Sequence, residues 1–338
     1  MNNNASLLLA IESSCDETSA AVFENDVLLS NVTATQKVHE AFGGVVPELA
    51  SRAHIQNIVP VVSEALKKAG KEAKDLTAIG FTQAPGLMGS LLVGVCFAKG
   101  MAQALNIPLI AVNHLQAHVL AHWIDHPKPG FPFLCLTVSG GHTQIVKVNN
   151  HLAMEVIGKT IDDAAGEAFD KIAKMLGLPY PGGPLVDKYA QEGNPHAFVF
   201  PVPEMKGYDF SFSGIKTAVL YFLQKQKLAD PHFVANNLRD ICASVQYTIV
   251  RALMIKLEKA AKDLGINEIG IGGGVSANSG LRQALVTYGE KNDWKTYLPA
   301  FQFCTDNAAM IGITAYYKMQ QGLFADLTAV PAAKVSWQ

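Results

Sequence analysis

Phe133-Leu134-Cys135-Leu136-Thr137-Val138 runs into Ser139-Gly140-Gly141-His142-Thr143 and out again through Gln144-Ile145-Val146-Lys147-Val148. Two apolar runs around a short polar turn read as a β-hairpin. The same pattern stands near the start, where Leu7–Ile11 and Ala20–Phe23 flank Glu12-Ser13-Ser14-Cys15-Asp16-Glu17-Thr18-Ser19. Each hairpin leads into a longer mixed region of helical and strand-like spacing. This internal duplication predicts an α/β chain of two similar domains facing a common cleft. Pro127-Lys128-Pro129-Gly130 is the natural hinge. The expected division is residues 1–126 plus 307–338, a hinge at 127–130, and a second domain over 131–306.

A chain of 338 residues is too long for one ordinary core, in keeping with two domains. At 49% hydrophobic and 17% charged, it has the composition of a compact α/β protein rather than a disordered or fibrous one. The net charge of −2 gives no global field for nucleic acid, so such a partner must use a local patch or a helper protein. The cluster Lys67, Lys68, Lys71 and Lys74 reads equally well as a solvated helix face. Cys15, Cys96, Cys135, Cys242 and Cys304 contain no C-x-x-C pair, which predicts a reduced, cytoplasmic chain. Leu7–Ile11 has no basic stretch before it and ends at Glu12, so it is not read as a signal peptide. The longest apolar run, Leu87 to Ala98, contains Gly89 and Gly94 and ends at Lys99. It is too short to span a bilayer and is expected to be a buried helix.

Helical punctuation follows. Ile55 to Ala69 has helical spacing and ends at Gly70; Asp162 can cap a helix from Asp163 to Leu176, stopped by Gly177. Pro179-Tyr180-Pro181-Gly182-Gly183-Pro184 is a stiff turn. Asn236 to Leu264 reads as a long helix closed by Gly265, and Ile266 to Ile271 as a strand entering Gly272-Gly273-Gly274. A helix follows from about Asn278, and a last one, about Asn307 to Gln320, is expected to pack on the first domain. The final residues are expected to be extended.

His114-Leu115-Gln116-Ala117-His118 follows the strand-like Ile107 to Val112. Histidines four apart on a helix share a face, about 6 Å apart along the axis, and can reach one metal ion. Their place at a strand's carboxyl end is where open α/β folds put ligands. His122 offers a second register, 118/122; all three cannot serve one ion, because His114 and His122 are about 12 Å apart along a helix. Asp306, in Phe303-Cys304-Thr305-Asp306-Asn307-Ala308-Ala309-Met310, is a candidate third ligand and an equally good helix cap. The glycine turn at 272–274 lets a phosphate or nucleoside approach helix-start amides, and Asn278 adds a donor and an acceptor. It is neither a P-loop nor a good dinucleotide fingerprint. The Ser139–Thr143 turn exposes consecutive N–H groups suited to phosphate or carboxylate, or is simply a hairpin turn. Asp163, Glu167 and Asp170 fall on one helix face, usually a solvated one; Asp170 and Asp187 could bracket a ribose with Gly183 between them. Glu12, Asp16 and Glu17 are many acids for one turn and could hold a cation, bind water or take up a proton.

Taken in order, Ile11 to Thr18, Gly43 to Arg52, His114 to His118, Val138 to Gln144, Ile161 to Lys171, Tyr180 to Pro184, Asp209 to Lys216, Gly272 to Asn278 and Phe303 to Met310 resemble the motifs of the TsaD family. These are the bacterial tRNA threonylcarbamoyladenosine transferases, once described as glycoproteases. The resemblance covers about residues 7 to 325, with departures mainly at Met1–Ser6 and the carboxyl tail. It implies the actin/Hsp70/sugar-kinase (ASKHA) fold, two duplicated domains with a ligand in the cleft and the adenylate site in the second. It implies one metal on His114, His118 and Asp306, most often Fe(2+) with zinc possible, and so selects the 114/118 register. Thr137, Val138, Ser139, Gly140, Gly141, Asp170, Gly183, Asp187 and Asn278 would contact the adenylate or ATP.

The implied reaction moves the threonylcarbamoyl group of threonylcarbamoyl-AMP to N6 of the adenosine 3′ of the anticodon in ANN-decoding tRNAs, releasing AMP. A site of two histidines and one aspartate keeps open positions and suits a Lewis acid. Asp16 or Glu17 is a candidate acceptor for the amine proton. A smaller paralogous partner (TsaB-like) and an ATPase (TsaE-like) are implied as well, and no membrane. A metalloprotease is disfavoured, because Leu115 stands where H-E-x-x-H needs its glutamate. A carbamoyltransferase acting on a small acceptor shares the fold and chemistry. An actin-like ATP-binding scaffold would have no use for the histidines.

Overall fold

A computed structural model describes residues 6–334. Of the departures from the family pattern expected at Met1–Ser6 and in the carboxyl tail, residues 1–5 and 335–338 lie outside the described residues. The chain runs β1 (Leu7–Glu12), β2 (Glu17–Glu24), β3 (Val27–Thr35), α1 (Pro47–Ala69), β4 (Ala78–Ala84), α2 (Met88–Leu105), β5 (Leu109–Asn113) and α3 (His114–Leu120). It continues through β6 (Phe133–Val138), β7 (Thr143–Asn150), β8 (Ala153–Lys159), α4 (Ala165–Met175), α5 (Gly182–Ala190), α6 (Ser213–Ala229) and α7 (Phe233–Leu264). The last elements are β9 (Glu268–Gly272), α8 (Ser279–Asn292), β10 (Lys295–Tyr297) and α9 (Ala308–Gln320).

By packing, the chain divides into two compact units. The first holds residues up to 128, 150–154 and those from 299 on; the second holds 129–149 and 155–298. Residues 299–306, read from the sequence as part of the second domain, therefore pack with the first. The reason is local: the Ala308 amide at the start of α9 donates to Ser19 Oγ at 2.9 Å, drawing the preceding loop onto β2.

In the first unit the sheet order is β3-β2-β1-β4-β5. The β1–β2 and β2–β3 pairs are antiparallel; β1–β4 and β4–β5 are parallel. In the second unit the order is β8-β7-β6-β9-β10. Here β6–β7 is antiparallel, and β6–β9 and β9–β10 are parallel. Position for position the two orders are the same, so the duplicated hairpins seed duplicated sheets. Each hairpin gains a third strand that the sequence did not announce, because β3 and β8 are edge strands with much exposed surface and no continuous apolar run.

Every residue of β1 is buried. A strand covered on both faces needs an unbroken apolar run rather than an alternating one, which is what Leu7 to Ile11 supplies. Leu9 and Ile11 pack with Ile58, Val62 and Ala65 of α1 and Val95 and Ala98 of α2. The other face of the sheet meets α9, where Gly312 lies too close to the Phe23 ring to admit a Cβ. α2 is longer than its apolar run suggested. Among the described residues it is the one helix long and apolar enough, by length and composition, to cross a membrane. Its Leu91, Val95, Ala98 and Ala102 are nevertheless buried in the first unit's core.

Three helix starts differ from the sequence reading; α7 begins at Phe233, three residues before Asn236. α1 begins at Pro47 instead of Ile55, because proline at a first helical position is pre-set for the helix and its polar first turns are solvated. α4 begins at Ala165 with Ala164 as its cap position. Asp162 instead accepts the backbone N–H groups of Phe212, at 2.8 Å, and Ser213, at 3.3 Å, and so caps α6, fifty residues away.

Candidate active site

β5 ends at Asn113, whose side-chain oxygen accepts the amides of Leu115, at 2.9 Å, and Gln116, at 3.3 Å. This cap starts α3 at His114 and places His118 one turn later. The two rings meet edge to face, with centroids 4.7 Å apart. At the other end of the chain, Asn307 caps α9 by accepting the Met310 amide at 3.1 Å. The sequence left Asp306 open as either cap or ligand; the neighbouring asparagine does the capping, and Asp306 is left for the histidines. Its Oδ1 lies 3.1 Å from His118 Nε2 and 3.4 Å from His114 Nε2. The three donor atoms all lie within 4.8 Å of one another. His122 falls in a short 3-10 turn, Ala121–Trp123, and does not join them.

Glu12 completes the arrangement. It ends β1, is fully buried, and its Oε2 lies 3.1 Å from His114 Nδ1. Ser14 Oγ is 3.2 Å from the same nitrogen, while Thr82 Oγ1 and the Ser14 amide donate to the Glu12 carboxylate. A carboxylate on Nδ1 orients the imidazole and directs Nε2 towards Asp306, the arrangement that metal-ligating histidines need. Glu12, Thr82 and His114 all stand at the carboxyl ends of the parallel strands β1, β4 and β5.

Burial opposes charge throughout this cluster, yet the partners outweigh it. Asp306 and Glu12 hold the His114 ring well above the usual histidine range. His114 in turn holds Glu12 low, and His114 and His118 hold Asp306 low. A field that favours a proton on His114 also favours a dication, which would displace that proton. His118 Nδ1 is buried with no hydrogen-bond partner. The donor chemistry, two imidazole nitrogens and one carboxylate oxygen, fits a divalent transition metal. Beside the cluster, burial and then the charges of Asp306 and Asp16 raise the Glu17 carboxyl to about 10.

The second unit builds a different site at the carboxyl ends of β6 and β9. A cavity of about 310 Å³ is lined by Gly140, Gly166, Phe169, Asp170, Gly183, Asp187, Gly274, Val275 and Asn278, among others. Glycines bring its walls together. Gly273 has φ +83°, and a Cβ there would stand 2.5 Å from the Val138 carbonyl oxygen. A Cβ at Gly166 would stand 2.6 Å from the Ser139 carbonyl oxygen. Gly140 and Gly274, by contrast, face open space. Asp170 Oδ1 accepts the Gly182 and Gly183 amides, both at 2.9 Å, and so holds the Pro/Gly turn as α5 begins; burial raises its carboxyl despite those bonds. Asp187 accepts the Ser279 amide and hydroxyl. Asn278 caps α8 through the Leu281 amide and donates to Gln246.

The family of TsaD proteins, tRNA N6-adenosine threonylcarbamoyltransferases, matches residues 27–313. This chain belongs to that family. The tRNA N6-adenosine threonylcarbamoyltransferase of Christiangramia forsetii is 63% identical over 330 residues, 97% of each chain. In fold, the chain resembles full-length HypF in its phosphate- and nucleotide-bound form, with a TM-score of 0.61, 12% identity and coverage of 93% of this chain and 46% of that one. It also resembles the ROK hexokinase of Thermus thermophilus, with a TM-score of 0.50, 17% identity and coverage of 94% and 100%. With the two mixed sheets, these likenesses show a fold of the actin/Hsp70/sugar-kinase type.

Of the residues expected to act in this family, His114, His118 and Asp306 converge. Gly140, Asp170, Gly183, Asp187 and Asn278 line the same cavity in the second unit. Thr137 and Val138 are buried in β6, while Ser139 and Gly141 belong to the adjoining turn. Asp163, Glu167 and Asp170 do not act as a face: Lys171 pairs with Asp163 and Glu167, Lys216 pairs with Asp163, and Asp170 turns to the glycine amides. Glu12 was legible as one of several hairpin acids. Its bond to His114 spans 102 residues and leaves no local signal.

Proposed function

We propose that this chain transfers the threonylcarbamoyl group of threonylcarbamoyl-AMP to N6 of the adenosine 3′ of the anticodon in ANN-decoding tRNAs. The observation that carries the reading is the convergence of His114, His118 and Asp306 within 4.8 Å in a chain of this family. The three residues would hold one metal, Fe(2+) in the first instance and zinc as the alternative. Bound there, it supplies a Lewis acid for the acyl carbonyl, which a weakly nucleophilic aromatic amine needs. The first domain carries that metal; the second holds the adenylate.

The residues of the chain do the rest. Glu12 orients His114 so that it presents Nε2. The cavity takes the AMP portion, with Gly140 and Gly274 leaving room for it and Asp170, Asp187 and Asn278 at its polar wall; Thr137, Val138, Ser139 and Gly141 would contact the substrate from the strand and turn that carry Gly140. The N6–C bond forms as the bond between the acyl carbon and the phosphate oxygen breaks, and AMP leaves with the electron pair. The proton lost by the amine goes to the Asp16–Glu17 pair. A metal held by His114, His118 and Asp306 would offset the Asp306 charge, the second cause after burial of the raised Glu17 carboxyl, and so favour Glu17 as the base. A TsaB-like partner and a TsaE-like ATPase would assist, in the cytoplasm and away from membranes.

The test is reconstitution. The chain, tRNA, threonine, bicarbonate, ATP and the synthase that makes the adenylate are combined with and without the partner proteins, and the tRNA is digested to nucleosides. Threonylcarbamoyladenosine that depends on the chain supports the reading. Its absence under all combinations, or transfer to small acceptors in place of tRNA, overturns it.

A further inference from the structure

The loop between β1 and β2 is tied down unusually well on its near side. The Ser14 carbonyl accepts the Leu87 amide at 2.7 Å, Ser13 Oγ donates to the Ser90 carbonyl at 3.0 Å, and Ser90 Oγ donates to the Cys15 carbonyl at 3.1 Å. All of these bonds come from the start of α2, and all end before Asp16. The side chain that bonds on both sides of Asp16-Glu17 is His54, fully buried in α1. Its Nε2 lies 3.0 Å from the Cys15 carbonyl oxygen and its Nδ1 2.8 Å from Thr18 Oγ1. A carbonyl can only accept, so Nε2 carries the hydrogen; Nδ1 is then bare and accepts from the Thr18 hydroxyl. One neutral ring thereby spans the turn. Burial holds His54 below the usual histidine range, consistent with that neutral form. Burying an imidazole costs desolvation, which these two bonds offset.

We propose that His54 is a positioning residue for the transfer reaction, fixing where the Asp16 and Glu17 carboxyls of the β1–β2 loop stand. The inference rests on the reading above that those carboxyls serve the reaction. Because His54 bonds on both sides of Asp16-Glu17, it sets where those carboxyls stand relative to the reacting amine, and a shift of about 1 Å in such a group costs on the order of 100-fold in rate. His54 touches no reacting atom; it acts through the turn.

The experiment uses the full chain with its metal content measured, assayed with tRNA and threonylcarbamoyl-adenylate. His54→Leu is expected to lower kcat about 10- to 100-fold while KM for the adenylate and metal content stay unchanged. His54→Gln, which keeps an N–H for the Cys15 carbonyl, is expected to recover most of that loss. In a D16N/E17Q background, His54→Leu should add little, because the groups it positions are already gone. Should His54→Leu not fold, Thr18→Val removes one bond only and should lower kcat in the same sense. Wild-type kcat in His54→Leu or, where that fails to fold, in Thr18→Val overturns the inference. So does a loss that is fully additive in the D16N/E17Q background, or a folded His54→Gln with no recovery. If D16N/E17Q itself keeps full kcat, the role given to the turn falls and the inference with it; if only the His54 variants are silent, the inference alone falls.

Discussion

The two units share one strand order but furnish the carboxyl ends of their central strands with opposite chemistry. In the first, β1 ends in Glu12, β4 passes Thr82, and β5 delivers His114. Charged and ring-nitrogen groups crowd together there, and each is oriented by another side chain. In the second, β6 runs into Ser139-Gly140-Gly141 and β9 into Gly272-Gly273-Gly274. That unit removes side chains so that backbone walls approach and leave a cavity. The same scaffold thus gathers a cluster of metal-type donors by adding side chains and opens a cavity of about 310 Å³ by deleting Cβ atoms. The comparison predicts that the first site fails chemically when a donor is lost, and the second fails sterically when an atom is gained.

The largest effect is expected from the first site. His118→Ala or Asp306→Asn should abolish stoichiometric metal binding and lower kcat/KM by about a thousandfold or more, with the melting temperature little changed. Metal analysis and tRNA modification assays check both halves. A variant that loses metal but keeps full activity would break the comparison on its chemical side. Next comes Gly273→Ala, where φ is +83° and the Val138 carbonyl oxygen is 2.5 Å from the added carbon. A destabilisation of about 2–4 kcal/mol is expected by chemical denaturation. Glu12→Gln should weaken metal affinity about 10- to 100-fold without touching a ligand, measured by competition with a chelator.

Gly274→Ala sharpens the contrast, because its added carbon meets open space. Stability should change by less than about 0.5 kcal/mol, while KM for the adenylate rises several-fold. An unchanged KM would place the substrate elsewhere. The smallest effect concerns Asp163, whose carboxyl Lys216 and Lys171 hold below the usual range against the opposing pull of burial. A depressed carboxylate contributes stability above its unfolded value, about 3.9, and that contribution is lost as pH falls through the folded value. The melting-temperature gap between wild type and Asp163→Asn should be present at neutral pH and close below about pH 4.

What could be read in the chain before its structure was whatever is local. The two hairpins, the His-x-x-x-His spacing, the glycine turn after β9 and the capping glycines each occupy a few consecutive residues, and their physics is contained there. What could not be read is what one segment does for a distant one. Asp162 looked like the cap of the helix beside it and serves α6 instead; no spacing rule signals a bond across fifty residues. Glu12 was visible as an acid but not as the partner of His114. The edge strands β3 and β8 escaped because solvent on one side removes the apolar run that marks a buried strand. Asp306 and Asn307 are a pair of plausible caps, and only the packing of α9 on β2 decides which one caps.

The return of α9 to the first unit also sets an order in time. His118 and Asp306 are 188 positions apart in the chain, and the whole second unit is translated between them. A ribosome making this protein releases both histidines and Glu12 long before it makes the aspartate. During that interval the nascent chain offers two of the three candidate ligands, and the third arises only when residue 306 has been added. The full set of three candidate ligands therefore exists only in chains that already contain the residues lining the second unit's cavity.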